Sequence, residues 1–141
     1  MKLDFMILAN HAEEQGGLIY VSGGTWDTVN VNAPLQGGPP EAVALFQGFL
    51  VIRLLFHPTE TGRDHSFELI VMDEDGHEFQ KLGGDFRVEK NPNLPAGWEQ
   101  GVNIIIGMSG MPLMAFGRFT LSLQVDGQHV GDRPFRVLKL Y

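Results

Sequence analysis

Cysteine is absent from the chain. That absence removes disulfides, thiolate nucleophiles and cysteine-ligated zinc or iron–sulfur centres together, and it fits a reducing compartment. Positive charge is also scarce: 10 Lys and Arg stand against 17 Asp and Glu, for a formal net charge of -7. The basic residues are scattered, with no run of three. A polyanion is held by a basic patch that displaces its counterions, so no nucleic acid is expected as a partner. Long apolar runs are missing too. The most apolar stretch, Phe49 to Phe56, carries Arg53 and falls far short of the ~20 residues a membrane helix needs. Near the N-terminus, Asp4 and Asn10 leave only five residues between them, below the ~7–15 apolar residues of a signal peptide core. The expected protein is cytoplasmic, with no membrane contact. Finally, no segment of eleven or more residues shows a helical stripe.

Glycine and proline are abundant: 18 and 8 in 141 residues, above the usual combined level of roughly 12%. Many turns and short elements follow, in a single domain spanning 1–141. The periodicity is two. In Arg118-Phe119-Thr120-Leu121-Ser122-Leu123-Gln124-Val125 every odd position is apolar and every even one polar, as in a strand with one buried face. Asp126-Gly127 then predicts a two-residue hairpin turn. Gln128 to Gly131 returns, and Pro134 to Leu140 reads as a last strand after a turn at Gly131-Asp132-Arg133. Ser66 to Asp73 is another strand, with Asp75-Gly76 as a second hairpin signal and Glu78 to Leu82 returning. Gly83-Gly84 reads as a bulge before Asp85 to Lys90. Lys2 to Ala9, Gly17 to Val21, Trp26 to Val31, Val43 to Phe56 and Val102 to Gly107 complete the set. Short helical turns are expected at most at Asn10 to Gln15 and after Pro39-Pro40. About eight strands with frequent turns predict an all-β fold, an antiparallel β-sandwich. A closed barrel is the alternative.

Several motifs together resemble a known family. They are the opening Lys2-Leu3-Asp4-Phe5-Met6-Ile7-Leu8-Ala9, Gly23-Gly24-Thr25-Trp26, and Phe67-Glu68-Leu69 with Asp73-Glu74-Asp75-Gly76. Gly117-Arg118-Phe119, Val125-Asp126-Gly127 and Pro134-Phe135-Arg136-Val137 complete the pattern. The chain resembles a domain-of-unknown-function family of small bacterial all-β proteins. The resemblance implies an immunoglobulin-like or related sandwich and carries no activity or catalytic residue. Phe119 stands where many immunoglobulin-like domains place a tyrosine whose hydroxyl bonds the backbone.

Four groups of residues invite chemistry. His57, Glu60, Asp64 and His65 sit around one loop and offer imidazole and carboxylate ligands for a divalent metal. No His-Glu-x-x-His spacing supports them, and a polar, solvated loop between two strands is the favoured reading. Asp73-Glu74-Asp75-Gly76-His77-Glu78 has the alternating acids of a calcium loop, but stops short of the ~12 residues required. Ser109, between Gly107 and Gly110, falls one position out of register with a nucleophile elbow. Trp26 and Trp98 suit either core packing or a stacking surface for sugars or a protein partner. Met108, Met111 and Met114 lie in a Gly- and Pro-rich segment, as an adaptable contact surface or as a cap on the core.

The expectation by elimination is a non-enzymatic β-sandwich interaction module with no cofactor and no bound metal. It would act through protein–protein contact, with a protein partner or a homodimer, on a surface drawn from Trp26, Trp98, Met108, Met111 and Met114. The alternative is a small-ligand or carbohydrate-binding module built on Trp26 or Trp98. A third class is a metal-assisted hydrolase using His57, Asp64 and His65. One further feature favours association. Val43 to Phe56 is apolar at both parities: Val43, Leu45, Phe49, Val51 and Leu55 on one, Ala44, Phe46, Leu50, Ile52, Leu54 and Phe56 on the other. A single core covers one face of a strand. The other needs a loop such as Met108 to Phe116, a short helix, or a second subunit.

Overall fold

The computed structural model describes residues 1–141. It is all-β, with 64% of the residues in strands and one short 3-10 turn at Pro58–Glu60. Eleven strands form three sheets, more than the eight or so expected. The strands are β1 (Lys2–Gln15), β2 (Leu18–Gly24), β3 (Thr28–Val31), β4 (Ala44–Phe46), β5 (Phe49–Phe56), β6 (Arg63–Asp73), β7 (Glu78–Val88), β8 (Gln100–Gly107), β9 (Met111–Leu113), β10 (Gly117–Val125) and β11 (Gln128–Lys139). The first sheet has the order β2-β1-β5-β8 and the second β3-β11-β10-β6-β7, while β4 and β9 pair separately. All pairs are antiparallel except β3 with β11, which run parallel.

The two larger sheets curl like half-barrels around one core. From the first sheet come Met6, Leu8, Leu50, Ile52, Leu54 and Phe56; from the second come Leu69, Val71, Phe119, Leu121, Leu123, Val125, Phe135 and Val137. Phe119, Leu121, Leu123 and Val125 of β10 are all buried, as the alternation predicts, and Ser122 on the other face is buried as well.

Several boundaries differ from expectation, each for a physical reason. Residues Asn10 to Gln15 form no helical turn, because β1 runs on and pairs with β2 out to Gln15↔Leu18. Gly16 and Gly17, at φ 57° and 81°, close that ribbon with the two left-handed residues a tight hairpin demands. Val43 to Phe56 divides in two at Gly48. There φ is 154°, and an added Cβ would lie 2.7 Å from the Ala9 carbonyl oxygen, so only glycine lets the chain pass so close to β1. Gly83-Gly84 is not a bulge: the β6–β7 register runs unbroken through Glu68↔Gly83 and Phe67↔Gly84. A Cβ on Gly84 would meet the Phe67 ring at 3.0 Å, so the glycine makes room for the aromatic side chain. The Gly131-Asp132-Arg133 segment does not turn but lies inside β11, whose irregularity falls between Leu123 and Gln124 of its partner. Pro134 is tolerated there because β3 pairs only with Arg136 to Lys139, leaving the Pro134 stretch with β10 alone.

Candidate functional site

The register of the first sheet sets out its outer face in rows. Ile7, Val51 and Ile105 lie side by side across β1, β5 and β8, and Phe5, Arg53 and Asn103 form the next row. Val51 is fully buried, and with Ala9 and Ala12 it nucleates a second apolar cluster, flanked by Ile7, Ile19, Phe49 and Ile105. Every one of these side chains belongs to β1, β2, β5 or β8, so no apolar group from a loop covers the cluster. Phe5 is exposed on the same face. The Arg53 row is internally neutral: Arg53 Nε donates to Asp4 Oδ2 at 3.1 Å and its Nη1 donates to Asn103 Oδ1 at 3.1 Å. Beyond Ala9, β1 leaves β5 behind and projects with β2 as a two-stranded ribbon. That ribbon exposes 62% of Leu18 and 51% of Tyr20.

Of the residues singled out as a binding surface, the structure exposes Trp98 and Met114 but not the others. Met108 and Met111 belong to the main core, where with Leu113 they cap one end of it. Trp26 is half-buried against Phe46, with ring centroids 5.5 Å apart, and its Nε1 is buried with no hydrogen-bond partner. It lines a cavity of about 670 Å3 with Asn10, Asn30, Leu35, Val43 and Gln47. Trp98 is 61% exposed and borders a separate cavity of about 500 Å3 with Pro58, Lys90, Pro92 and Pro95. The amides nearby hold the loop itself: Gln100 Oε1 accepts from the Asn91 N–H at 2.9 Å, and its Nε2 donates to the Glu89 carbonyl at 2.6 Å.

The His57–His65 group does not converge on a common point. His57 caps the 3-10 turn, its Nδ1 accepting from the Thr59 N–H at 3.3 Å. Glu60 accepts from the N-terminal ammonium at 2.6 Å and from the His57 N–H at 2.9 Å. Burial works to raise the Glu60 carboxyl, but these hydrogen bonds and the charges of the N-terminus and Arg63 hold it below the ordinary value. Asp64 pairs with Arg87 at 3.2 Å. His65 is buried in an aromatic box, its ring stacked on Phe86 and tilted against Phe56. Its Nδ1 meets Asp126 Oδ2 at 2.6 Å and its Nε2 meets the Glu60 carbonyl at 2.7 Å. Both partners accept, so both contacts are hydrogen bonds only when the ring carries two protons. Burial likewise works to raise the Asp126 carboxyl, and the His65 hydrogen bond, the Ser66 N–H and the charges of His65 and Arg63 outweigh it and depress it. Asp126 is 61 residues from His65 in sequence, and nothing in the local pattern joins them. This is a latch between the 3-10 turn, β6 and the β10–β11 hairpin, in which both ring nitrogens of His65 are already engaged.

Asp73, Asp75 and His77 do bring one ligand atom each within 4.8 Å. Their geometry is that of a tight turn: Asp73 Oδ1 accepts from the N–H groups of Asp75 at 2.9 Å and His77 at 2.8 Å. Those bonds, led by the His77 N–H, hold the Asp73 carboxyl below its usual value. Ser109 Oγ accepts from the Gly48 N–H at 3.2 Å and so fastens the β8–β9 turn to the β4–β5 turn. The outer face of the first sheet is thus an apolar feature that no fold-building role described above accounts for. Its apolar parity was legible in β5, but Ile7, Ile105 and Asn103 were not, because only sheet register brings them beside it.

No curated protein matches the chain. A family of unknown function, DUF6941, matches it over residues 4–138, and the chain belongs to that family.

Proposed function

We propose that the protein is a non-enzymatic β-sandwich, of immunoglobulin-like character, that works by protein–protein contact through the outer face of its first sheet. The observation that carries this is the second apolar cluster around Val51, lying on the opposite side of β5 from the main core. A continuous apolar patch open to water is uncommon on a solitary soluble chain. Here it has the anatomy of a contact surface: half-buried Ile7 and Ile105 flanking the fully buried Val51, an exposed aromatic at Phe5, and a compensated polar row at Arg53. The test is capture with a tagged chain from cells that also make an untagged copy. Phe5→Glu and Ile7→Asp are expected to abolish capture of a defined protein, including the untagged copy, while Trp98→Ala retains it. A captured set unchanged by the two face variants would sink the proposal.

A second reading rests on the Trp98 ring, exposed beside a cavity walled by prolines. An open indole face offers stacking to a sugar ring or a small apolar ligand. Titration of neutral oligosaccharides, followed by indole fluorescence and compared with Trp98→Ala, distinguishes this reading from the first.

A further inference from the structure

We infer that β8 is a pairing edge, and that its occupant is β8 of a second copy running antiparallel to it. This rests on the protein-contact reading above and assigns that contact a geometry. β8 ends the first sheet and bonds only to β5. In an antiparallel ladder each residue directs both its N–H and its C=O to the same neighbour, alternating along the strand. The Met108 N–H donates to the Gly48 carbonyl at 3.0 Å, which sets the phase: Gln100, Val102, Ile104 and Ile106 face β5. Gly101, Asn103, Ile105 and Gly107 therefore point their main-chain groups away from the sheet. No turn, loop or side chain bonds to them.

Open edges are normally blunted by charge, proline, bulges or shortness. The two edges of the second sheet show such devices. β7 carries Glu78, Lys81, Asp85 and Arg87 and faces a register shift, while β3 spans four residues. β2, the other edge of the first sheet, also lacks charge and proline, but it pairs with β1 mainly beyond the end of β5 and finishes in Gly23-Gly24, with Thr25 in the left-handed region at φ 68°. β8 reads Gln-Gly-Val-Asn-Ile-Ile-Ile-Gly, with no ionisable residue and no proline.

The same neutrality selects a second copy as the occupant. The chain carries a net charge of -7, so two copies repel wherever acidic surfaces meet. At β8 none do: Arg53 is compensated by Asp4, and Glu99, just before the strand, is paired with Lys2 at 3.3 Å. A two-fold axis through Ile104 sets Asn103 opposite Ile105 of the second copy and Gly101 opposite Gly107. That register engages all four outward residues and forms about eight main-chain hydrogen bonds; a shift of the axis by one residue forfeits one facing pair. It also joins the Ile7–Val51–Ile105 row to the Asn103–Arg53–Phe5 row of the second copy, and the two-fold contact closes on itself.

Sedimentation equilibrium over a concentration series, with amide exchange on the dimer, tests this. The expected result is a monomer–dimer equilibrium in which the Asn103 and Ile105 amides exchange as slowly as those of Ile104 and Ile106. Asn103→Pro removes an outward N–H and no main-chain bond to β5, and it loses the Arg53 bond to the Asn103 side chain just as Asn103→Ala does; it is expected to give a folded monomer. Asn103→Ala keeps that N–H and is expected to remain dimeric. A chain that stays monomeric overturns the inference and leaves the face to its own capture test. A dimer with fast exchange at Asn103 and Ile105 that is lost in Phe5→Glu overturns the edge and keeps the face. Amide exchange in the unmodified chain decides the matter even if Asn103→Pro fails to fold.

Discussion

Leu121 shows how directly alternation translates into energy. It is fully buried at the centre of β10, and Leu121→Ala is expected to lower stability by ~2–5 kcal/mol, the cost of a large-to-small change in a packed core. The shift of a urea midpoint at constant m-value measures it. The latch around His65 behaves differently, because its strength depends on pH. Glu60 and Asp126 both have depressed carboxyl values in the folded chain. The unfolded chain therefore binds more protons in acid, and stability falls as pH falls. The contribution is complete above the ordinary carboxylate value, about 4, and is lost through the lower folded values. Thermal melts between neutral pH and about pH 3 are expected to show a steeper decline in the native chain than in an Asp126→Asn variant. Equal slopes would mean that the pairing with His65 contributes no linkage.

The elements differ in how firmly they are held. β5 and β10 are central, each hydrogen-bonded on both sides and buried in the core. The β1–β2 ribbon beyond Ala9 has no third hydrogen-bonded strand and rests on the sheet only through His11, Ala12 and Ile19, and an isolated two-stranded ribbon is marginal in water. Amides of Ala12 and Glu14 are expected to exchange through local opening far more readily than those of Ile52 or Leu121, and hydrogen exchange followed residue by residue checks this. Uniform protection would show that the ribbon is packed as firmly as the core. The turns follow the same logic of fit. Asp126-Gly127, with φ values of 52° and 80°, is the paired left-handed turn its sequence announces. Asp75-Gly76 has only the glycine in that region, at 82°, and closes a three-residue loop between Asp73 and His77.

For the molecule as a whole, the balance of charge and apolar surface sets the behaviour. The acidic excess disfavours indiscriminate association, and salt screens it beyond about 8 Å at physiological strength. Association through β8 or the sheet face is therefore expected to strengthen modestly as salt rises, in contrast to a contact built on ion pairs; light scattering across a salt series measures this. Chelation belongs to this scale too. The Asp73–Asp75–His77 turn is already satisfied by its own backbone, so EDTA is expected to leave the melting temperature unchanged. A drop restored by one metal ion would revive that turn as a binding site.

Strand content, the one-sided burial of β10, the hairpin at Asp126-Gly127 and the doubly apolar nature of β5 were all readable from residue order. Each depends on neighbours one or two positions apart, where period and turn chemistry act. Other features were not readable. The division of Val43 to Phe56 hinges on the Ala9 carbonyl near Gly48. The continuation of β7 through Gly83-Gly84 depends on the Phe67 ring, and β3 joins β11 in parallel across the chain. Met111 was drawn into the core by the β4–β9 pairing and Met108 beside it by the main-chain bond to Gly48, whereas Trp98 was left outside. The row Ile7–Val51–Ile105 joins three strands far apart in sequence. Such contacts are chosen by long-range pairing, in which a one-residue shift of register exchanges the two faces of a strand. Local pattern therefore says which residues are apolar on both faces, and only the assembled sheet determines which of those faces is left for a partner.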